Sequence, residues 1–110
     1  MIDYTDFRCL LAETTEYKDM ETYIADVGGS VPLEDVGEVG KMLTVIWGMG
    51  HAGLTIRSIS AACEISVRGI ALKYGLPTRT VENWASGSRT PPEWQLPLIA
   101  YAVQSDSIKY

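Results

Sequence analysis

The sequence predicts an all-α protein, a small helical bundle preceded by an acidic helical N-terminal segment. Three observations support this fold class. Apolar residues recur at three- and four-residue steps along most of the chain, which is the period of an amphipathic helix. No stretch of useful length alternates apolar and polar residues as a half-buried strand does. Glycine, proline and hydroxyl residues divide the chain into short segments, so we expect about six or seven helices.

The composition indicates a folded protein outside the membrane. With 110 residues, 46% of them hydrophobic and 21% charged, the chain is in the globular range. No apolar run approaches the ~18 residues of a membrane span. Asp3 and Asp6 stand where a secretory signal would be basic. We therefore expect a cytoplasmic protein, with an acidic helical region at residues 1–50 and a second unit at residues 54–110.

The N-terminal region is predicted to contain two helical stretches. Apolar residues at helical spacing are interspersed with acids over residues 3–26, which predicts one long helix or two short ones. Gly28 to Ser30 and Pro32 then interrupt the pattern, because glycine frees the backbone and proline suits a first helical turn. A further helix is expected from Leu33 to Met49.

Four short helices are predicted after residue 54 from residues that begin and end helices. Serine and threonine oxygens accept the free N–H groups of a first turn, and glycine takes the left-handed conformation that ends a helix. The predicted starts are Thr55, Ser66, Pro77–Thr78 and the capping-box sequence Thr90–Glu93, the predicted ends are Gly75 and Gly87, and Pro97 is expected to kink or delay the last helix.

The charge is divided unevenly along the chain. Residues 1–40 contain ten acids and two bases, a local charge of −8, whereas residues 41–110 contain four acids and seven bases, a local charge of +3. Such an asymmetry suggests an acidic partner for the basic half, or a separate role for the acidic half.

The window Val67–Ser86 meets the steric demands of a helix-turn-helix. Ala71 is small where the two helices approach, and Gly75 can reverse the chain without a Cβ penalty. The spacing of Ala71 and Gly75 from the apolar residues predicts the motif, as do the residue types themselves. The apolar residues expected to face one another are Ile70, Leu76, Val81 and Trp84.

This part of the chain resembles the Cro/repressor-like (XRE-type) helix-turn-helix regulators of bacteria and phages. The resemblance extends over residues 54–104 and is strongest in IALKYGLPTRTVENWASGSRTPP. The acidic leader is similar to that of small helix-turn-helix proteins of gut Firmicutes and their mobile elements. The resemblance implies a lambda-repressor-like bundle whose recognition helix, residues 78–85, enters the DNA major groove. It also implies a transcriptional repressor that binds double-stranded DNA as a homodimer, with no cofactor.

The resemblance assigns base reading to the start and second turn of that helix. Arginine can pair bidentately with guanine, asparagine with adenine, and a threonine methyl group can contact thymine. The expected base-reading residues are Thr78, Arg79 and Asn83, with Thr80 beside them, and the expected phosphate contacts are Ser86, Ser88, Arg89, Arg68 and the backbone amides near Ser66.

Two residues depart from the family pattern. Ala85 stands where many relatives carry a glutamate that can pair with an arginine of an earlier helix, so that ion pair is absent or moved. Glu82 lies beside the reading face. Its carboxylate would repel phosphate unless it accepts from cytosine or pairs with a base such as Arg79.

A glycine motif and a single histidine are the two features of the sequence that could suggest an enzyme. Gly48, Gly50 and Gly53 satisfy GxGxxG, but no βαβ pattern surrounds them. We instead expect these glycines to form a flexible link between the N-terminal region and the bundle. His51 has no carboxylate or cysteine beside it, so we expect neither a metal site nor a catalytic base. No enzymatic activity is expected.

The cysteines and tryptophans are expected to be structural. Cys9 and Cys63 lack the spacing of a metal site. Tryptophans at helical spacing are more often core anchors than stacking platforms. The three tryptophans are Trp47, Trp84 and Trp94.

A function of another class is an alternative. The acidic residues 1–40 could dock on a basic protein surface such as the nucleic-acid channel of an enzyme. The chain would then resemble a phage-encoded, anti-CRISPR-like inhibitor that also regulates its own gene by binding DNA. In a third alternative, the leader only dimerises the regulator. The dimer contacts would then be Phe7, Leu10, Leu11 and Tyr17.

Overall fold

The computed structural model describes the backbone of residues 2–28 and 36–107, and the side chains of residues 2–28 and 39–106. Within these ranges the protein contains seven α-helices, one short 3-10 turn and no strand, which confirms the all-α prediction. The helices are α1 (Tyr4–Glu13), α2 (Met20–Gly28), α3 (Val36–Gly50), α4 (Ile56–Cys63), α5 (Val67–Lys73), α6 (Thr78–Ser86) and α7 (Gln95–Ser107), and the 3-10 turn is Thr14–Glu16.

Aspartates begin the first two helices, α1 and α2. The Asp3 side chain accepts the Asp6 N–H at 2.8 Å at the start of α1. The Asp19 side chain accepts the Thr22 N–H, also at 2.8 Å, at the start of α2. The 3-10 turn separates the two helices, so the region forms two short helices rather than one long helix. The predicted break begins at Gly28, which is the last described residue of α2. The rest of the break, residues 29–32, and the predicted start at Leu33 lie outside the described residues.

The predicted starts of α4, α5 and α6 and the predicted ends of α5 and α6 are confirmed. Thr55 and Ser58 form a reciprocal capping box at the start of α4. The Ser66 hydroxyl accepts a backbone N–H in the first turn of α5. Gly75 and Gly87, which follow α5 and α6, have φ values of +67° and +83°. Both glycines therefore have the left-handed backbone that a side chain would strain.

The last helix does not begin at the predicted capping box of residues 90–93, whereas the delayed start expected from Pro97 is confirmed. Residues 90–94 form an irregular segment and a turn, and α7 begins only at Gln95. The Gln95 N–H donates to the Pro92 carbonyl at 3.0 Å. Pro97 then falls in the first turn, where a backbone N–H has no partner within the helix, and this accounts for the delayed start.

The core is one cluster that draws on every helix. α3 packs against α1, α2, α4 and α7. Phe7 of α1 packs edge-to-face on Tyr101 of α7, with ring centres 5.3 Å apart. Tyr23 of α2 is buried, and its hydroxyl donates to the Leu10 carbonyl at 2.8 Å. Burial also raises the pKa of Tyr23. The N-terminal region and the helix-turn-helix part therefore share one core.

Two of the motif glycines allow close helix packing and do not form a flexible link. Gly48 and Gly50 lie inside α3. A Cβ atom on Gly48 would lie 3.1 Å from the Ala62 Cβ, and one on Gly50 would lie 2.6 Å from the Thr14 Oγ1. The prediction of a link is therefore wrong for these two positions, whereas Gly53 does lie in the loop after α3, at a φ of +107°.

Candidate nucleic-acid interface

The helix-turn-helix consists of α5, the turn at residues 74–77 and α6. Ile70, Ala71 and Val81 are completely buried where the two helices meet. The Leu76 N–H donates to the Ala71 carbonyl at 2.9 Å and so closes the turn. Leu76 and Trp84 are both half-buried and pack against the same core. The packing expected from the spacing of the motif is therefore present, and it fixes which face of α6 points outward.

The outward face of α6 presents polar side chains with unused hydrogen-bonding groups. Arg79 is exposed, and Thr78, Thr80 and Asn83 are partly exposed. Within the described part of the chain, no hydrogen bond or ion pair engages any of these four side chains. The opposite face of the helix is held inward by Val81. None of the four side chains is buried, so all four can reach a ligand.

The start of α6 differs from the starts of α4 and α5. Pro77 precedes α6, and no side chain caps this helix. The first-turn amides of residues 78–80 therefore remain without a side-chain acceptor, and such amides favour an anion such as phosphate. The sequence analysis predicts Pro77 only as part of a helix start. The proline side chain has no acceptor for the first-turn N–H groups, unlike the Ser66 hydroxyl, and this difference predicts an uncapped helix.

The expected phosphate contacts after α6 cluster at its C-terminal end. The Ser86 hydroxyl donates to the Asn83 carbonyl at 3.1 Å and lies 2.9 Å from the Ser88 hydroxyl. The Arg89 N–H donates to the same carbonyl at 3.3 Å. These bonds fold the exposed segment 86–89 against the helix end, about 12 Å from Thr78 at the usual helical rise. The phosphate contacts expected after α6 therefore lie at the opposite end of the helix from Thr78.

Both departures from the family pattern have a visible outcome. Arg57 of α4 donates its Nε–H to the Ala85 carbonyl at 2.8 Å. An arginine of an earlier helix therefore still holds α6, through the backbone rather than through a glutamate. Glu82 is exposed, and among the described side chains it has no ion pair with Arg79. Its charge remains beside the reading face.

A charged cluster ties the helix-turn-helix to α7. The Tyr74 hydroxyl donates to the Asp106 carboxylate at 2.6 Å, and Lys73 lies 3.8 Å from the same oxygen. Burial, together with this hydrogen bond, raises the pKa of Tyr74. Arg68 is exposed and makes no such contact within the described ranges. Residues 67–89 contain four bases and one acid, so this part of the surface is basic.

The N-terminal region exposes its acids and buries part of its apolar face. Six of the seven acids of residues 2–28 are exposed, while Phe7 and Leu10 are buried against the rest of the chain. Phe7 and Leu10 therefore belong to the core, whereas Leu11 and Tyr17 are only partly buried, and a dimer formed through the leader stays a prediction. The exposed acids are Asp3, Asp6, Glu16, Asp19, Glu21 and Asp26, and the acids Glu34, Asp35 and Glu38 lie outside the described side chains.

The histidine has a structural setting. The His51 ring stacks on Trp47 with ring centres 3.9 Å apart, and its Nδ1 lies 3.2 Å from the Thr14 carbonyl. Since a carbonyl only accepts, Nδ1 carries the proton in this contact. Cys9 is exposed and Cys63 is buried, and neither forms a disulfide. The described residues contain no group of histidine, cysteine and acidic side chains able to hold a metal ion.

An open apolar groove lies beside the C-terminal end of α6. It has a volume of about 430 Å³ and is bounded by the start of α4, the end of α6 and the segment 87–97. Trp84 forms part of its wall, whereas Trp94 does not line the groove and is 66% exposed. The prediction that all three tryptophans are core anchors is therefore wrong for Trp94.

Comparison of the chain with protein-family models, curated proteins and solved structures gives no match. None of the helices in the described ranges is long and apolar enough to cross a membrane. What these residues bind must therefore follow from their own chemistry.

Proposed function

We propose that this protein is a sequence-specific DNA-binding transcriptional repressor that places α6 in the major groove of double-stranded DNA. The observation that carries the proposal is the outward face of α6. Its polar side chains form no hydrogen bond or ion pair within the described ranges, and the buried Val81 and the tight turn fix the orientation of the helix that carries them. A helix presented in this way fits the major groove, which admits one α-helix.

The residue types on this face suit the edges of bases. Arg79 offers paired donors for guanine, and Asn83 offers a donor and an acceptor for adenine. Residues four positions apart lie on the same face of a helix, so both side chains address neighbouring base pairs. Thr78 and Thr80 add hydroxyl and methyl groups beside them. This set is chemically varied enough to select a sequence.

Phosphate contacts flank the reading residues on both sides. The uncapped first turn of α6 offers backbone N–H groups at one end. Ser86, Ser88 and Arg89 offer hydroxyl groups and a cation at the other end, and Arg68 adds a cation on α5. Contacts of this kind set the register of the protein on the duplex and make binding depend on salt.

The reading face is tested by single substitutions. Fragments selected from genomic DNA with the purified protein supply the operator. Arg79→Ala and Asn83→Ala are each expected to weaken operator binding by about 1–3 kcal/mol, because each removes one bidentate base contact. Lys41→Ala, which removes an exposed cation from α3, is the matched control and should bind as the wild type does.

Fluorescence anisotropy with a labelled operator measures the affinities, and thermal unfolding verifies that each variant is folded. Undiminished binding by both α6 variants would refute the assignment of the reading face. Selection of no fragment at all by the wild-type protein would refute DNA binding.

The exposed acids of α1 and α2 favour a second function, in which this surface binds a basic protein. Residues 2–28 contain seven acids and two bases. A phage-encoded inhibitor of a host nuclease is one protein that would use such a surface. The double variant Glu16→Lys/Glu21→Lys should then lose the protection of a phage against CRISPR interference while keeping operator affinity. Glu64→Lys, a reversal elsewhere on the surface, is the control, and equal protection by all three proteins excludes the function.

A further inference from the structure

We propose that the groove beside α6 receives Trp94 from a second copy of this chain, so that two copies related by a two-fold axis each insert this indole into the other's groove. The role of such a dimer in presenting two reading helices rests on the proposed function. The interface itself rests only on the features of the groove and of its surroundings.

The groove is shaped for an apolar side chain. Its volume of about 430 Å³ falls within the range of pockets that hold organic ligands. Leu54, Ile56, Trp84 and Leu96 line it together with prolines, which present flat apolar faces. Flat walls of this kind favour an aromatic ring, because aromatic groups gain from stacked and edge contacts as well as from burial.

The side chain that would fill the groove stands beside it. Trp94 belongs to the segment 87–97 that forms one wall, but it does not line the cavity, and it is 66% exposed. Leu98 of α7, four residues after Trp94, is 42% exposed. One surface thus carries both an apolar projection and an apolar recess. An isologous dimer requires this arrangement, because each copy presents the same patch to the other.

The charges around the groove are also self-complementary. Arg89 and Glu93 both line it, and among the described side chains neither has an ion-pair partner. Glu93 directly precedes Trp94. When Trp94 enters the groove of the second copy, Glu93 is carried toward the Arg89 that lines that groove. Two equivalent ion pairs then flank the two buried indoles, an arrangement that favours one register of the dimer.

The interface is tested without DNA, by sedimentation equilibrium of the full chain. The wild-type protein is expected to dimerise. Trp94→Ala should raise the dissociation constant by on the order of 30-fold, as for a central interface tryptophan. Leu72→Ala is the matched control, because Leu72 is 65% exposed on α5, away from the groove. It should leave the dissociation constant unchanged.

A charge exchange tests the register. Arg89→Glu and Glu93→Arg should each weaken the dimer, and the double variant Arg89→Glu/Glu93→Arg should restore it, since the pair is re-formed with reversed signs. Circular dichroism verifies that all variants are folded. A monomeric wild type, an unchanged Trp94→Ala dimer, or a double variant no better than the singles would each overturn the proposal.

Failure of this interface is distinguishable from failure of DNA binding. A dimer that selects no DNA fragment supports the interface and refutes the proposed function. A monomer whose operator binding depends on Arg79 and Asn83 does the reverse. A monomer that takes a small aromatic probe into the groove, detected by quenching of Trp84, assigns the groove to a ligand and also overturns the dimer.

Discussion

At the scale of single residues, Gly50 is the described glycine that leaves the least room for a side chain. α3 passes so close to the 3-10 turn that a Cβ atom here would lie 2.6 Å from the Thr14 Oγ1 and 2.7 Å from a Leu11 methyl group. Thr14 is completely buried, and its hydroxyl donates to the Leu11 carbonyl at 2.7 Å, so it cannot easily move away. Gly50→Ala should therefore lower the free energy of unfolding by about 1–3 kcal/mol, as overpacked cores do.

Gly40 of the same helix provides the control for this prediction. A Cβ atom there meets no heavy atom of the described residues within 4 Å. Gly40→Ala should raise the free energy of unfolding by about 0.5–1 kcal/mol, because alanine favours the helix and carries no steric cost at this site. Urea unfolding of both variants measures the difference. Stabilisation by both substitutions would show that helix propensity, not close packing, governs α3.

At the scale of helices, the hydrogen bond from Tyr74 to Asp106 joins α5 to α7. Tyr74→Phe should lower the free energy of unfolding at neutral pH by about 0.5–1.5 kcal/mol, the net contribution of one hydrogen bond.

The same contact makes stability depend on alkaline pH. Burial and Asp106 raise the pKa of Tyr74 in the folded protein, whereas the unfolded chain ionises near the ordinary value of 10.0. The stabilisation is therefore complete below about pH 10 and is lost as the pH rises further. Burial of Tyr23 acts in the same direction. Urea midpoints between pH 8 and 11 should fall less steeply for Tyr74→Phe than for the wild type, and parallel curves would contradict the assignment.

The sequence predicted helix ends best where the determinants are local. Thr55 and Ser66 cap their own first turns, and Gly87 ends α6 through its own backbone conformation, so each acts within a few residues. The start of α7 was misplaced because a capping-box sequence at Thr90 competes with Pro97, and the choice between them depends on how residues 90–94 pack. Local pattern contains no information about that packing.

Features that depend on distant contacts could not be predicted. The role of Gly50 requires knowledge that the 3-10 turn lies against α3. The exposure of Trp94 depends on how the irregular segment before α7 lies on the rest of the chain. The reading face of α6 is an intermediate case, since Val81 and Arg79 fall on opposite faces by helical period alone. Their exposure is as expected from sequence, but the absence of a cap before α6 was seen only in the structure.

At the scale of the whole molecule, the shared core determines how the two proposed surfaces can be separated. The acidic α1 and α2 contribute Phe7 and Tyr23 to the same cluster as Ile70 and Val81 of the helix-turn-helix. Deleting the N-terminal helices would therefore expose the core of the helix-turn-helix part, and any loss of the proposed DNA affinity would report unfolding. Surface charge substitutions keep the core intact, so they are the appropriate means to separate the two functions.

The continuity of this core also governs the rate at which amide protons exchange with heavy water. If no part can detach alone, the most protected amides of α1 and α6 become labelled only when the entire chain opens, and they should share one opening free energy. A molecule bound to α1 or α2 would then slow deuterium uptake in α6 without touching it.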